Sequence, residues 1–444
     1  MSRKQKFWNP VLETLAPEKI KQLQLRKFKK ILKWTCEHST FHRRLYDDAG
    51  IKPEDVQSFG DIQRVPKVEK AMMRDIQRKA PFPYGEALCV PLDEVTIFRQ
   101  TSGTTGQPVY QPDTWQDWEW WMECWSYILW AQGYRPQDRV FIPFGYNIFV
   151  AFWAGHYAAE KIGCEVIPGG VLDTKARILK IQELQATAMM GTPTYILGMA
   201  ETARMKMDIN PAELSINKIT CAGECGASIP STKKRLEEAW GAKVYDHAGA
   251  TEIGAWSFEC ADQPGGMHVN EALFLVEIED VDTGEIIEEP GRRGKMVITA
   301  LDRMAQPCVR FDSKDVIEWA PEPCSCGRTL RLIKGGVVGR ADDITKVKGV
   351  LLAPSAIEEV VRSIDGLGDE YEVIVEKAGD TDQIKLKVEI LPQAESQSAL
   401  IENELIDQLR LKTNLRYDIE ICGSGTLPRY EVKAKRFRDL RNKD

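Results

Sequence analysis

Residues Thr96 to Pro112 read TIFRQTSGTTGQPVYQP, and they pose a problem of charge that the rest of the fold has to solve. The run Val95, Thr96, Ile97 and Phe98 favours an extended strand. It breaks into Thr101, Ser102, Gly103, Thr104, Thr105 and Gly106, small residues whose backbone amides and hydroxyls are suited to wrap a phosphate group. The P-loop pattern places a lysine directly after its second glycine to offset that charge. Here Gln107 and Pro108 follow Gly106, so the cation has to come from elsewhere in the chain.

At 444 residues with 43% hydrophobic composition, the chain exceeds one ordinary core and carries ample apolar material for a large domain and a smaller one. The formal net charge of -7 and a pI near 5.6 argue against a nucleic-acid binder, which needs clustered Lys and Arg. The opening MSRKQKFWNPVLETL is basic but lacks the apolar core of a signal peptide. Eleven cysteines leave one unpaired in any complete disulfide scheme, which fits a reducing cytoplasm. Val140 to Ala159 contains no Asp, Glu, Lys or Arg and is long enough for a bilayer. Pro143, Gly145, Asn147, Gly155 and His156 interrupt it, so a buried strand, a turn and a buried helix is the reading, with no membrane partner.

Apolar positions at helical spacing between residues 17 and 50 predict an opening helix on the surface of the large domain. Thr114 and Asp117 predict a capping box for a helix that carries Trp118, Trp121, Met122, Trp125 and Leu129 on one face, a stripe that reads as core. From about 139 to 250, short strands (Val140 to Phe144, Cys164 to Ile167, Ala188 to Met190, Lys218 to Thr220, Lys243 to Asp246) alternate with helical stretches, the rhythm of a sheet covered by helices. Residues 272 to 319 look mostly β, with strands at Leu273 to Glu279 and Gly294 to Thr299. Beyond Gly339 and Arg340 the composition shifts to a compact α+β unit. It has a helix from Pro354, a hairpin of Tyr371 to Val375 with Ile384 to Ile390, a helix from about Glu395 and a strand at Tyr417 to Cys422. The expected fold is therefore α/β: residues 1–340 form a large domain of sheets covered by helices, and 341–444 a small α+β domain, with the boundary near Asp342.

Three further stretches carry chemistry-bearing residues. VYDHAGATEIGAW, Val244 to Trp256, follows a strand and sets Thr251 and Glu252 among small residues, where a metal-bound nucleotide could approach. Gly339 to Val361 packs Arg340, Asp342, Asp343, Lys346 and Lys348 between glycines, as a charged hinge or a plain polar linker would. LPRYEVKAKRFRDLR, Leu427 to Arg441, supplies Arg429, Lys433, Lys435, Arg436 and Arg438 near the terminus, where a basic run is otherwise a solvated tail.

In order and spacing these stretches resemble the adenylate-forming superfamily, and most closely its phenylacetate-CoA ligase branch, over nearly the whole chain. The likeness runs through SGTTGxP (Ser102 to Pro108), the aromatic turn Tyr146 to Phe149 with AGHYAAEKIGCEVIP behind it, AGE (Ala222, Gly223, Glu224), and LPRxExKAKR (Leu427 to Arg436). The resemblance implies ATP-dependent ligation of a carboxylic acid to coenzyme A through an acyl-adenylate. It implies that the missing cation is Lys433, carried on a mobile carboxy-terminal domain that turns near Asp342. It assigns Glu252 and Thr251 to a magnesium ion on the phosphates. The nucleotide is implied to lie against Ser102, Gly103, Thr104, Thr105, Gly106, Ala222, Gly223, Glu224, Asp246, His247, Ala248, Gly249, Asp315 and Arg340. The acid falls to Tyr146, Phe149, Gly155, His156 and Ala250, and coenzyme A to Lys346, Lys348 and Gly349.

Several family positions differ. Ala248 stands where the branch has an aromatic before the glycine of YGxTE, RYRTGD appears as Arg310 to Asp315, and Val432 replaces the glycine before the lysine. Cys324 and Cys326, with Cys260 and His268 about sixty residues upstream, suit tetrahedral zinc in a reducing cell. Some members of the resembled branch carry a structural zinc at corresponding positions. Tyr146, Phe149, Phe152 and Trp153 would form an aromatic wall fitting an aryl or arylalkyl acid. Transfer to a carrier protein or an amine, and nucleotide binding without turnover, stay open as alternatives, as does a homodimer.

Overall fold

The tryptophan-rich helix Trp115–Ala131 starts where its capping residues dictate. The Thr114 hydroxyl accepts from the Asp117 amide at 3.1 Å, and the Asp117 carboxylate accepts from the Thr114 amide at 3.0 Å. The expected one-sided stripe is exceeded: every residue from Cys124 to Ala131 is buried, along with Trp118, Trp120 and Trp121. A helix with so many tryptophans has apolar surface on most of its circumference and is packed accordingly.

The computed structural model describes residues 5–101, 107–224, 226–341, 345–348, 350–378, 381–430 and 434–441. They fall into two compact units, one of Met1–Val171, Ala186–Met190 and Tyr245–Val337, the other of Leu172–Gln185, Gly191–Val244 and Val338–Asp444.

In the first unit the opening segment is two helices, Pro17–His38 and Thr40–Asp48, instead of one. Ser39 is extended at φ -119° and its hydroxyl accepts from the His42 amide, so it ends one helix and caps the next. Their apolar faces place Phe28, Ile31, Leu32 and Tyr46 in a core with Leu275, Leu301 and Val309. Val140 pairs in parallel with Val166 on one side and Ala188 on the other, and the helix Ala151–Ile162 follows. The uncharged stretch is thus strand, turn and helix. Among the described residues no helix is long and apolar enough to cross a membrane.

An antiparallel run joins Lys243–Ala250, Gly254–Phe258, Gly266–Val269 and Leu332–Lys334. The strand expected to stop at Asp246 continues to Ala250, leaving Thr251, Glu252 and Ile253 as its hairpin turn. A separate antiparallel set, Phe274–Glu279, Arg293–Ala300 and Phe311–Glu318, accounts for the β character of residues 272 to 319.

In the second unit, helices Thr174–Leu184, Pro193–Met207 and Pro230–Trp240 accompany the strand Lys218–Cys221. Leu367–Ala378 and Thr381–Ile390 form the anticipated hairpin, in register from Tyr371 opposite Val388 to Ala378 opposite Thr381. Asp418–Gly423 and Phe437–Asp439 flank it in parallel. Helices Pro354–Ser363 and Ser398–Thr413 cover the sheet through Ile357, Val361, Leu386, Leu405 and Leu409, all fully buried.

Candidate functional site

The turn bearing Thr251 and Glu252 is held from behind by an arginine. Arg303 and Asp113 are both completely buried and form a two-pronged ion pair at 2.7 and 2.8 Å. The remaining guanidinium nitrogen Nη1 donates to the carbonyls of Thr251 at 2.8 Å and Glu252 at 3.1 Å. Trp121 covers the guanidinium, 5.1 Å from its ring centre. With its backbone clamped, Glu252 presents a carboxylate that is only 5% exposed and paired with the Lys70 ammonium at 2.8 Å. Magnesium commonly takes one or two carboxylates from a protein when nucleotide phosphates and water supply its other ligands, and Glu252 could be such a ligand. The Lys70 contact marks the position as one that already holds positive charge.

The strand leading into this turn carries four of the expected nucleotide contacts. The Asp246 amide donates to Glu259 at 3.1 Å, and its own carboxylate accepts from the His247 amide at 2.8 Å. His247 stands edge-on to Trp125 at 4.4 Å, and burial pushes its imidazole down to about 4, so it is neutral at pH 7. Ala248 lies opposite Ser257, and the register slips between Ala248 and Gly249. A side chain on Gly249 would come within 2.9 Å of the Gly254 carbonyl, so this bulge requires glycine. In the RYRTGD-like stretch, Lys314 takes φ +65° where the resembled pattern has glycine, and its ammonium bonds Asp312 at 2.9 Å. The Asp315 amide donates to the Ser313 hydroxyl at 3.1 Å.

The aromatic turn builds a defined surface in the same unit. The Tyr146 hydroxyl lies 2.7 Å from His156 Nδ1, and His156 Nε2 lies 3.0 Å from Glu160. A carboxylate can only accept, so Nε2 donates to Glu160. Burial, then the charge of Glu160, pushes the Tyr146 phenol up and keeps it neutral. Trp153 packs edge-on to Tyr146 at 4.8 Å and is fixed by its indole donating to the Asn147 carbonyl at 2.7 Å. Phe152 packs against Phe144 at 4.2 Å, while Phe149 is tied by its amide to Asn147. Arg99 lies between the faces of Trp118 and Trp153, 5.0 Å from each ring centre. Gly155 is explained by packing, since a side chain there would meet Met190 at 3.0 Å and Trp125 at 3.4 Å. Ala250 closes its strand opposite Gly254.

In the second unit, Ala222 is buried and Gly223 takes φ +94°. Glu224 gives both carboxylate oxygens to backbone donors, the Thr194 amide at 2.9 Å and the Ala434 amide at 3.1 Å. Arg340 lies in the short strand Gly339–Arg340, and the Lys348 amide donates to Asp382 at 3.2 Å. The Lys346 backbone pairs with Leu351.

Cys260, His268, Cys324 and Cys326 come together in the first unit, all buried, with their ligand atoms within 4.8 Å of one another. Cys260 and Cys324 sulfurs are 3.6 Å apart, and Cys326 Sγ is 3.4 Å from His268 Nε2. Tetrahedral zinc with Zn–S bonds of about 2.3 Å separates its sulfur ligands by about 3.8 Å, so the donor set and its spacing fit that ion. His268 Nδ1 lies 3.2 Å from the Leu330 carbonyl, which leaves Nε2 free to face the sulfurs. The Cys324 and Cys326 sulfurs accept from the Cys326 and Arg328 amides at 3.4 Å each.

Two family models match the chain: AMP-binding enzyme over residues 31–301 and AMP-binding enzyme C-terminal domain over 349–441. A phenylacetate-coenzyme A ligase of Thermus thermophilus is 30% identical, covering 98% of this chain and 100% of that protein. The chain belongs to the AMP-binding enzyme family. Among solved structures it is similar to 2-hydroxyisobutyryl-CoA ligase in the postadenylation state with 2-HIB-AMP. The TM-score is 0.93 at 27% identity, over 99% of this chain and 93% of that one. The same ligase with 2-HIB-AMP and CoA in the thioesterification state gives a TM-score of 0.75 at 28% identity, over 99% and 94%. The mixed α/β architecture expected from the strand and helix rhythm is that of adenylate-forming ligases.

For this member of the family, Ser102, Gly103, Thr104, Thr105, Gly106, Asp342, Gly349 and Lys433 lie outside the described residues, as do Cys225, Asp343 and the Lys346 side chain. Sequence reasoning missed Lys70 and Arg303. A lone lysine at a helix start and an arginine in the irregular stretch Leu301 to Val309 carry no local signal. Only their distant partners reveal what they do.

Proposed function

We propose that this AMP-forming acid–CoA ligase takes an aromatic carboxylic acid. One observation carries the reading: a chain matched along 98% of its length by a phenylacetate-coenzyme A ligase keeps a buried Glu252 carboxylate on a turn clamped by Arg303. In the first step the carboxylate of the acid attacks the α-phosphorus of ATP and expels pyrophosphate. In the second the thiol of coenzyme A attacks the acyl-adenylate and displaces AMP. The enzyme's contribution to both is positioning and charge stabilisation. Glu252, with Thr251 adjacent, would hold magnesium, which supplies positive charge to the phosphates. The loop 102–106 is assigned to the phosphates and Lys433 to the charge that develops as the adenylate forms. The segment 341–444, turning near Asp342, is assigned to bring Lys433 for the first step and Lys346, Lys348 and Gly349 for the second. The 2-hydroxyisobutyryl-CoA ligase has been solved in both a postadenylation and a thioesterification state, which supports two working arrangements.

The face formed by Tyr146, Trp153 and His156 supports an aromatic acid, because two rings meeting edge to face leave flat apolar surface with one polar tip. The test is a panel of acids scored for AMP release with and without coenzyme A. Arylacetic and benzoic acids should exceed 2-hydroxyisobutyrate by about 10- to 100-fold in kcat/KM, the worth of burying one ring. A panel in which the small hydroxy acid turns over best would remove the aromatic assignment, and AMP release indifferent to coenzyme A would remove the acceptor.

We further assign the Cys260, His268, Cys324 and Cys326 cluster to structural zinc, since four protein ligands leave no coordination position for substrate. Elemental analysis of protein purified without added metal should find about one zinc per chain. Cys326→Ser should lose the metal and lower the unfolding midpoint, while the folded fraction keeps its kcat. A metal-free protein of unchanged stability would refute the site. Reduced thiols are consistent with a cytosolic location, and the described cysteines are free.

A further inference from the structure

Arg429 and Arg436, which lie on either side of Lys433 in the sequence, both bond to one helix, Pro193–Met207. On the amino-terminal side, Arg429 makes a two-pronged contact with Glu201 at 2.9 and 3.1 Å while also bonding Glu389 at 2.8 Å. On the carboxy-terminal side, Ala434 donates its amide to Glu224, and Arg436 donates to the Thr194 hydroxyl at 3.0 Å. Arg436 is itself locked by a bidentate pair with Glu370, at 2.9 and 3.1 Å, and is only 7% exposed. Glu224 is the pivot of this arrangement. One of its oxygens sits on the Thr194 amide in the first turn of the helix, where the unpaired N–H groups favour negative charge. The other holds the residue that immediately follows Lys433.

We propose that Glu224 is a positioning residue for the adenylation step: it docks the chain at Ala434 onto the start of helix Pro193–Met207 and so fixes the segment from which Lys433 extends. This rests on the two-step ligase reading given above and sharpens it. The dock serves only the step that uses Lys433, so its loss slows adenylate formation and leaves the attack of coenzyme A on a ready-made adenylate untouched. The physical ground is that a carboxylate accepts two N–H bonds at once, whereas an amide offers one acceptor oxygen and turns a donor toward the second amide. Glu224→Gln therefore keeps size and shape but breaks one of the two links.

The experiment measures both half-reactions on Glu224→Gln and Glu224→Ala, using phenylacetate first and otherwise the best acid of the panel. Adenylation is read as acid-dependent exchange of labelled pyrophosphate into ATP, and the second step as thioester formed from the synthetic acyl-adenylate and coenzyme A. Exchange should fall about 10- to 100-fold, the effect of losing a charge-assisted hydrogen bond, while thioester formation stays within about twofold. Glu201→Ala, at a half-exposed pair on the opposite flank, should lower exchange up to about fivefold and again spare the second step. Equal losses in both half-reactions, or a raised KM for ATP with unchanged exchange at saturation, would make Glu224 a nucleotide contact and overturn the proposal. Unaltered exchange in all three variants would overturn it as well. A wild-type protein with no exchange for any acid would instead defeat the ligase reading, so the two failures are distinguishable. If Glu224→Ala does not fold, Glu224→Gln and Glu201→Ala still decide the matter.

Discussion

Lys433→Ala is expected to lower the rate of adenylate formation by about 10²- to 10³-fold, the usual cost of removing one preorganised charge from a developing negative centre. The expectation begins with the sequence SGTTGQP, which has the small residues suited to phosphates but no lysine after Gly106. An oxyanion in a water-poor site without a cation loses most of its stabilisation, because the interaction is worth far more there than in bulk water. Thioester formation from a supplied acyl-adenylate should stay within about threefold, since the proposed turn of segment 341–444 takes Lys433 out of the site before coenzyme A attacks. Lys433→Arg should restore little, because a planar guanidinium does not reproduce a compact ammonium. Pyrophosphate exchange and single-turnover thioester formation separate the outcomes. Equal loss in both steps would mean that Lys433 serves general stability, and no loss in either would place the missing cation elsewhere, with Lys70 the first alternative to examine.

Arg303→Met should destabilise the fold by about 3–5 kcal/mol, which for a domain with about 5–15 kcal/mol in total threatens folding at 37 °C. Arg303 and Asp113 are both wholly buried, so truncating the arginine takes from an interior carboxylate the guanidinium bonded to it and leaves only the more distant charge of Arg99. Burial already pushes the Asp113 carboxyl up to about 6 against the opposing pull of Arg303. The same change also deprives the Thr251 and Glu252 carbonyls of their donor. Arg303→Lys should recover part of the loss at most, since an ammonium cannot make the forked contact with Asp113 and reach the turn as well. The double variant Asp113→Leu with Arg303→Met should regain much of the stability but not the catalysis, because it removes the buried charges together while still releasing the Glu252 turn. Thermal unfolding and pyrophosphate exchange, measured on the same samples, test both halves. A single variant as stable as the parent would show that the pair contributes nothing to folding.

The two substitutions mark where the sequence is readable and where it is not. The capping box at Thr114 and Asp117, the hairpin of the carboxy-terminal segment and the strand, turn and helix hidden in Val140 to Ala159 are all legible, because each is set by residues a few positions apart. The grouping of Cys260, His268, Cys324 and Cys326 is legible because a close cysteine pair with a further cysteine and histidine is a recognisable ligand pattern. Where local patterns mislead, the cause is equally physical. The strand from Lys243 looks short because small residues resemble a loop, yet opposite Gly254–Phe258 they pair as a strand with a bulge at Gly249. Ser39, a polar residue within an apolar rhythm, passes for helix interior although it caps the next helix.

By itself, then, the order of residues determined the alternation of strands and helices and singled out the three cysteines and the histidine that the fold brings together. The tertiary structure alone decided which charge answers which. Arg303 finds Asp113 across 190 positions, Lys70 finds Glu252, and Glu224 accepts the amide of Ala434. Local patterns report torsional preference and the periodicity of burial, which act over a few residues. An ion pair or a charge-assisted hydrogen bond depends on distance in space and on the exclusion of water, and neither exists until the chain has folded.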